Sequence, residues 1–308
     1  MQYIDIKNGP RKASRIILGC MRMPALSVSA AAQMIRAAAE EGINFFDHAT
    51  CYANGEAEKR FGDAFREAGL KREEVIFQSK CGLHFDRKEF DWSKEDILES
   101  VDGSLRRLKT EYLDVLLLHR PDLLFEPEEV AEAFETLEKS GKVRFFGVSN
   151  VTPGQLELLK KFSRVPLVIN QLQFSLEQTQ LIDTGLYLNN LTTERSVVRD
   201  NGVLDYCRLN DITIQAWSPL QFGMFKGCFV DHPDFPELNF ALGEIGEKYG
   251  VSKTAVAIAW ILRHPAHMQA IAGTMNPDHL KDICAVSKVD LTHREWYRLY
   301  LASGKFLP

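Results

Sequence analysis

The sequence predicts an α/β fold, a (β/α)8 TIM barrel with a short N-terminal β-hairpin and an extra C-terminal helix. Strand-like and helix-like stretches alternate along almost all of the 308 residues, which is the pattern of βα units around a parallel sheet. About eight such units can be read, the number that closes into one barrel. Because no stretch rich in proline, glycine or serine divides the chain, we expect residues 1–308 to form a single domain.

The predicted strands are short apolar runs, most of which end at a polar residue. The fourth run, from Tyr112 to Leu118, is nearly continuous, as expected for a strand that is buried on both faces. In chain order the strands are expected at residues 15–20, 43–47, 75–80, 112–118, 143–148, 167–172, 212–217 and 269–273.

The predicted helices rest on apolar residues at helical spacing and on capping signals. Ser27 or Ser29 begins the first helix and Gly42 ends it, and Ser93 with Asp96 resembles a capping box for the third. Further helices are expected through Glu58 and Phe65, near residues 128–140, 153–161, 203–209, 239–249 and 253–263, from Asn276-Pro277 onward, and after Thr292.

Two segments lie outside the βα alternation. Residues 3–7 alternate in polarity and are followed by Asn8-Gly9-Pro10, which predicts a hairpin that closes the floor of the barrel. The longest irregular stretch covers residues 181–201. A loop of this length without regular structure is commonly functional, so we interpret it as a candidate lid.

Charge and composition exclude several classes of protein. The 37 lysines and arginines against 42 acidic residues give a net charge of −5, so a nucleic-acid partner is not expected. Charges near Met1 argue against a secretory signal, and no apolar run approaches membrane-spanning length. We therefore expect a cytoplasmic protein with reduced, scattered cysteines, no metal and no membrane partner. The sequence sets no oligomeric state.

Four residues that can carry proton chemistry fall at the ends of predicted strands. Asp47, Lys80 and His119 end three strands, and Tyr52 follows Asp47 in the next loop. Barrel enzymes build their sites at this rim, so we expect the four side chains to share one mouth and to form a proton-donating site for a carbonyl. Taken singly, each has a structural explanation, such as an ion pair between Asp47 and Lys80. Their coincidence on four elements favours the site.

The chemistry of such a site depends on the tyrosine. A free phenol titrates near pH ~10, and a nearby cation stabilises its anion. We therefore expect Lys80 to lower the pKa of Tyr52 and Asp47 to keep Lys80 charged. A neutral His119 would donate a hydrogen bond to the carbonyl oxygen.

Several short segments are weak signals singly but specific as a set, because of their order and spacing along the chain. They are GINFFD at 42–47 followed by Tyr52, Glu56 and Gly62, SK at 79–80, DVLLLHRPD at 114–122, KVRFFGVSN at 142–150, NQ at 170–171 and AWSPL at 216–220. Over nearly its whole length the chain resembles the aldo-keto reductases, which are NAD(P)H-dependent barrel oxidoreductases. The resemblance implies that the four rim residues form the family's tetrad, which reduces aldehydes and ketones with the tyrosine as general acid.

The resemblance also implies where the coenzyme binds. Ser149, Asn150 and Gln171 match the positions that hold the nicotinamide carboxamide, whose donor and acceptor such side chains can satisfy. Trp217 matches the aromatic residue that stacks on the ring.

The phosphate end departs from the family's familiar pattern. Gly273, Met275 and His279 stand where basic residues are common, and Ile283 replaces an asparagine that contacts adenine. NADP(H) is favoured on family grounds, and NAD(H) is the alternative. The residues expected along the phosphates are Ser218, Leu220, Lys226, Gly273, Thr274, His279 and Asp282.

Two other functions stay open at this point. The barrel could bind nicotinamide nucleotide as a sensor or regulatory subunit with little turnover, or Asp47, His48, Lys80 and His119 could hold a hydrolytic metal. For the reductase, we expect a small carbonyl substrate with hydrophobic character. The expected pocket walls are Met21, Met23, Phe85, Phe90 and Trp92.

Overall fold

Eight parallel strands close into a barrel in the computed structural model, which describes residues 1–187, 193–223 and 226–308. Leu18 pairs with Phe46 on one side and with Ala272 on the other, which joins the first barrel strand to the last. The strands are β1 (Tyr3–Ile4), β2 (Ala13–Ser14), β3 (Ile16–Gly19), β4 (Phe45–Asp47), β5 (Ile76–Cys81), β6 (Leu83–His84), β7 (Glu89–Phe90), β8 (Leu113–Leu118), β9 (Val143–Ser149), β10 (Leu167–Gln173), β11 (Thr213–Trp217) and β12 (Gln269–Ala272). All except β1, β2, β6 and β7 belong to the barrel, and the predicted fold class is confirmed.

Helices pack around the barrel and begin close to the predicted positions. Ser27 caps the first helix by accepting a hydrogen bond from Ala30 N, and Thr292 and Glu295 form a capping box for the last. The helices are α1 (Val28–Glu40), α2 (Glu56–Ala68), α3 (Lys94–Leu108), α4 (Pro127–Lys139), α5 (Pro153–Phe162), α6 (Gln180–Tyr187), α7 (Val203–Leu209), α8 (Pro236–Tyr249), α9 (Lys253–Arg263), α10 (Pro277–Cys284) and α11 (His293–Ala302). In the described ranges none of them has the length and apolar character of a membrane span.

The N-terminal hairpin closes the floor of the barrel, as predicted. Strands β1 and β2 pair antiparallel, and the chain between them turns where Ile6 N donates to Pro10 O at 3.0 Å. Ile6 is 2% exposed and packs in a cluster with barrel residues such as Ile17, Phe45 and Val115. The hairpin thereby removes the apolar lower layer of the barrel from water.

The stretch predicted to be irregular contains regular structure. Helix α6 covers its first part and is held by the C-terminal tail, because the Tyr187 hydroxyl donates to Phe306 O at 2.5 Å. The prediction of a structureless loop was wrong here, since apolar residues of α6 pack into the core. Residues 188–192 of the candidate lid lie outside the described residues, so the lid stays a prediction, as does the single domain.

Gly62 of α2 lies against the backbone at the end of α3. A Cβ atom on Gly62 would lie 2.9 Å from the carbonyl carbon of Leu108, a backbone atom that cannot rotate away. Close packing of this kind is intolerant of added volume. Gly62, one of the residues that carry the family resemblance, therefore has a packing role.

We expect Gly62→Ala to lower the free energy of unfolding by about 1–3 kcal/mol, because the added methyl group forces the two helices apart. Urea denaturation monitored by circular dichroism measures the change. Gly154→Ala is the matched control: among the described residues no atom beyond its own helix backbone and chain neighbours lies within 4 Å of the added Cβ, and the stability of the variant should stay the same or rise by up to about 1 kcal/mol. Equal effects of the two substitutions would contradict the packing role.

Candidate active site

The structure brings the four predicted rim residues together around the Lys80 ammonium. Asp47 ends β4, Lys80 lies on β5 and His119 directly follows β8. Lys80 Nζ lies 2.7 Å from Asp47 Oδ2, 2.8 Å from Oδ1 and 3.2 Å from the hydroxyl oxygen of Tyr52. The rings of Tyr52 and His119 meet edge to face with centroids 5.7 Å apart.

The backbone after Tyr52 takes a left-handed turn over three residues. Ala53, Asn54 and Gly55 have φ values of 48°, 52° and 86°, a left-handed conformation that is costly for the first two residues. This turn leads directly into α2. It fixes the position of the phenol relative to Lys80 at the expense of local backbone strain.

Burial and Lys80 shift the pKa of Tyr52 in opposite directions. Burial raises the pKa of Tyr52 to about 12, and the charge and hydrogen bond of Lys80 offset only part of that rise. Lys80 thus lowers this pKa as expected, but the net shift is upward, because loss of water penalises the phenolate more than one cation stabilises it. Tyr52 therefore holds its proton throughout the neutral range.

His119 is neutral, and its neighbour Cys51 orients it. Burial and the charges of Lys80 and Arg120 lower the pKa of His119 well below its ordinary value. Cys51 Sγ lies 3.4 Å from His119 Nδ1, and burial raises the pKa of this thiol to about 11. The tautomer of the ring sets the direction of this hydrogen bond. In the tautomer with the proton on Nε2, Cys51 donates to Nδ1 and the imidazole can act as a donor toward the mouth.

A layer of buried glutamines surrounds Asp47 inside the barrel. Gln78 Nε2 donates to Asp47 Oδ1 at 2.6 Å, and Gln171 Nε2 lies 3.2 Å from the same oxygen. Both amides also donate to Gln215 Oε1, at 2.8 and 3.0 Å, and Gln215 donates in turn to Gln269. All of these residues are at most 2% exposed. The carboxylate is therefore fixed by amide donors as well as by Lys80.

Sequence analysis missed Gln78 and Gln215 as members of the site. Both lie inside predicted strands, and both precede a rim residue by two positions, Lys80 and Trp217 respectively. Alternate residues of a strand face the same side, so this spacing was the signal that could have found them.

His48 does not join the tetrad as a metal ligand. Its ring is 0% exposed, lies 4.3 Å from the ring of Phe61 and has no polar partner at either nitrogen among the described residues. Burial lowers the pKa of His48 to about 3. In the ranges that the structure covers, no three His, Cys, Asp or Glu side chains form a metal-binding group. The hydrolase alternative, which needs His48 beside Asp47, has the wrong geometry.

The predicted carboxamide site lies beside the tetrad. Ser149 Oγ donates to Gln171 O at 2.9 Å and accepts from Asn150 Nδ2 at 2.7 Å, while Trp217 Nε1 donates to Asn150 Oδ1 at 3.1 Å. These three side chains and Gln171 form one contiguous wall. Gln171 Oε1 has no donor among the described residues, so it is free to accept a hydrogen bond from a ligand.

The loop after β11 carries the residues predicted near the pyrophosphate. Ser218 has a φ of 51° and its hydroxyl lies 3.4 Å from Gln221 Oε1, Leu220 is half-buried, and Lys226 is exposed with its amide 3.3 Å from Gly223 O. Residues 224 and 225 of this loop lie outside the described residues. Lys226 is thus an exposed cation of this loop.

At the predicted adenosine end, the structure adds a cation that sequence analysis missed. Arg22, in the loop after β3, donates from Nη1 to Gly273 O at 3.0 Å. Thr274 is half-buried, and its hydroxyl accepts from Asn276 N at 3.1 Å. Ile283 is 4% exposed and packs in the core, so this position is closed to a ligand.

Two further predicted contacts of this end, His279 and Asp282, lie exposed on α10. Asn276 caps this helix by accepting from Asp278 N at 2.8 Å, and Pro277 occupies its first turn, as predicted. Sequence analysis could not find Arg22 as a neighbour of Gly273, because most of the barrel sequence lies between the two residues.

Two of the five predicted hydrophobic pocket walls are wrong. Met23 and Trp92 are 0% exposed and belong to the core between barrel and helices. Phe85 and Phe90 lie on the β6–β7 hairpin and are 61% and 45% exposed, so their role as pocket walls stays a prediction. Loop side chains cannot be oriented from sequence alone, and this is why Met23 and Trp92 were misplaced.

The raised pKa of Tyr52 predicts that this residue ionises only above the range of an ordinary phenol. Between about pH 8 and 10.5, the tyrosinate absorbance of the wild-type protein and of Tyr52→Phe should superimpose. In denaturant the two titrations should differ by one tyrosine. Lys80→Met should move the ionisation of Tyr52 to still higher pH, because Lys80 lowers this pKa. An extra proton released by the wild type below about pH 10 would contradict the assignment.

The comparisons with known proteins agree over almost the whole chain. The model of the Aldo/keto reductase family matches residues 15–300. An uncharacterized oxidoreductase of Bacillus subtilis, YcsN, is 34% identical over 304 residues, which cover 94% of each chain. The 6-dehydroglucose reductase of Agrobacterium fabrum is 33% identical over 305 residues and 95% of each chain.

A solved structure gives the same result. The aldo/keto reductase of Klebsiella pneumoniae, determined in complex with NADP and acetate, superimposes with a TM-score of 0.74 and 26% identity over 96% of this chain and 93% of the other. The protein therefore belongs to the aldo/keto reductase family of oxidoreductases.

Proposed function

We propose that this protein reduces aldehydes or ketones to alcohols with NADP(H), and that Tyr52 is the proton donor. The observation that carries the proposal is the 3.2 Å contact between the Tyr52 hydroxyl and Nζ of Lys80, which also forms a buried ion pair with Asp47. The bound coenzyme supplies the hydride. The chain's own residues supply the proton, orient the carbonyl and exclude water.

Tyr52 gives its proton to the carbonyl oxygen as that oxygen gains negative charge. Its raised pKa keeps the phenol protonated at neutral pH, which is the state a general acid requires. The phenolate that remains lies beside the Lys80 ammonium. Burial lowers the pKa of Lys80, but Asp47 and Tyr52 more than offset it, so the ammonium stays charged. Lys80 can therefore stabilise the phenolate at the moment it forms.

His119 is suited to orient the same oxygen. A neutral imidazole with its proton on Nε2 donates one hydrogen bond without adding a second cation beside Lys80. Two donors, the phenol and the imidazole, then converge on one acceptor. A carbonyl oxygen has two lone pairs and can accept both.

The proposed coenzyme contacts follow the wall beside the tetrad. Gln171 Oε1 would accept from the carboxamide with Ser149 and Asn150 beside it, and Trp217 would cover one face of the ring. The phosphate contacts proposed from the sequence are Ser218, Leu220, Lys226, Gly273, Thr274, His279 and Asp282. Arg22 adds a guanidinium at Gly273, which supports NADP(H), because arginine is a good ligand for a ribose phosphate. The Klebsiella relative, solved with NADP, supports the same choice.

Tyr52→Phe should lower kcat for aldehyde reduction by about 10²–10⁴-fold, the range for removal of a general acid, while the dissociation constant for NADPH stays within about twofold. Steady-state kinetics and an equilibrium titration separate the two effects. Tyr206→Phe removes a hydroxyl at the surface and is the control. Full activity of Tyr52→Phe would remove the proton-donor role. Coenzyme binding without consumption by the wild type, across a broad panel of aldehydes and ketones, would instead favour the regulatory alternative.

Titration with NADPH should quench the fluorescence of Trp217, the half-buried tryptophan at the mouth. The other three, Trp92, Trp260 and Trp296, are at most 9% exposed, so Trp217→Phe should abolish most of the quenching. We expect NADPH to bind at least about tenfold more tightly than NADH, through one charge-assisted contact to the extra phosphate. Arg22→Met should weaken NADPH and leave NADH unchanged. Equal affinities in the wild type would make NAD(H) the coenzyme.

A further inference from the structure

Arg120 is a half-buried cation at the mouth whose donors have no acceptor. It directly follows His119, and its guanidinium carbon lies 5.4 Å from the centroid of the Trp217 ring. Within residues 1–187, 193–223 and 226–308 it makes no hydrogen bond or ion pair. Every other half-buried arginine there donates to a carbonyl, a hydroxyl or a carboxylate. These arginines are Arg15, Arg36, Arg60, Arg72, Arg107 and Arg263.

An unsatisfied guanidinium in this position is unfavourable without a ligand. Arginine carries five N–H donors and stays charged, and burial lowers the pKa of Arg120, which shows that its charge has lost water. Two carboxylates that could serve as partners are engaged elsewhere. Asp47 is paired with Lys80, and Asp122 accepts from the backbone amides of Trp92 and Leu124 at 3.1 and 2.8 Å.

The charge balance of the mouth is therefore positive. Lys80 and Asp47 cancel each other, His119 is neutral, and Arg120 contributes one uncompensated charge next to the phenol of Tyr52, with which it interacts electrostatically. A positive charge at the entrance of a cleft attracts anions and strengthens their binding. A planar guanidinium also matches the two oxygens of a carboxylate.

We propose that Arg120 binds an oxyanion on the carbonyl substrate, so that the preferred substrates are small aldehydes or ketones that also carry a carboxylate or a comparable anionic group. The inference rests on the proposed reductase function and narrows its substrate class. The guanidinium neighbours both donors that would hold the carbonyl oxygen, Tyr52 and His119. An anionic substituent on the same molecule supplies the acceptor that the protein does not.

The test compares 4-carboxybenzaldehyde with its methyl ester, which has nearly the same shape without the charge. The wild type should show a KM for the acid at least about tenfold lower than for the ester, as expected for a charge-assisted hydrogen bond. Arg120→Met should remove that difference by raising KM for the acid, with kcat/KM for the ester within about twofold and KM for NADPH unchanged. Arg120→Lys should keep part of the preference for the acid, because lysine keeps the positive charge but lacks the paired N–H donors of a guanidinium.

Arg36→Met is the matched control, because Arg36 is half-buried but donates to Glu67 O away from the mouth. It should leave the preference for the acid intact. Three results would overturn the proposal. Arg120→Met could lose as much kcat/KM for the ester as for the acid, or it could show a raised KM for NADPH. It could also lose kcat/KM selectively for glyceraldehyde, which is neutral. The last result would assign Arg120 to hydroxyl groups.

Failure of the reductase function is distinguishable from failure of this inference. If the wild type reduces neither aldehyde with either coenzyme, the proposed function is wrong, and benzoate binding decides the role of Arg120. Benzoate should change Trp217 fluorescence saturably in the wild type, because Arg120 lies over that ring. The change should be lost in Arg120→Met. Benzoate binding that is equal in both proteins would overturn the oxyanion site.

Discussion

The ion pair between Lys80 and Asp47 is the interaction on which the rest of the site depends. The two side chains are 0% and 3% exposed and lie 2.7 Å apart. Burial of two charges costs several kcal/mol per ion unless further hydrogen bonds satisfy them. Lys80 therefore also donates to His48 O at 2.7 Å, and Asp47 accepts from Gln78. The pair holds because the barrel interior around it is polar.

That requirement shapes the middle of the barrel. Below the pair, the amides continue from Gln215 to Gln269, which donates to Ser14 O at 2.8 Å, at the hairpin that closes the floor. A barrel interior is ordinarily filled by branched apolar side chains. Here the apolar interior cluster, which includes Ile17, Phe45 and Leu117, shares the barrel with these amides. One atom shows the cost of the polar layer, since Gln78 Oε1 is buried and has no partner in the described part of the chain.

The parts of the fold that could be predicted are those set by local pattern. The eight strands followed from apolar runs, and Asp47, Lys80 and His119 could be placed because strand ends share one rim. Properties that depend on how deeply a side chain is buried could not be predicted. The sign of the Tyr52 pKa shift is set by lost water, and Trp92 was assigned to the mouth although it packs in the core. Arg22 meets Gly273 only through closure of the barrel.

The depth of Tyr52 also sets its protonation state. With a pKa of about 12, roughly one phenol in 10⁵ is ionised at pH 7, against roughly one in 10³ for an ordinary tyrosine. Burial therefore keeps the proton on the phenol, but it also makes the phenol a weaker acid, and proton transfer is most efficient when the pKa lies near the operating pH. Lys80 lowers the pKa of Tyr52 without cancelling the effect of burial. The protonation state of the site thus follows from the depth of the phenol as much as from the identity of the four residues.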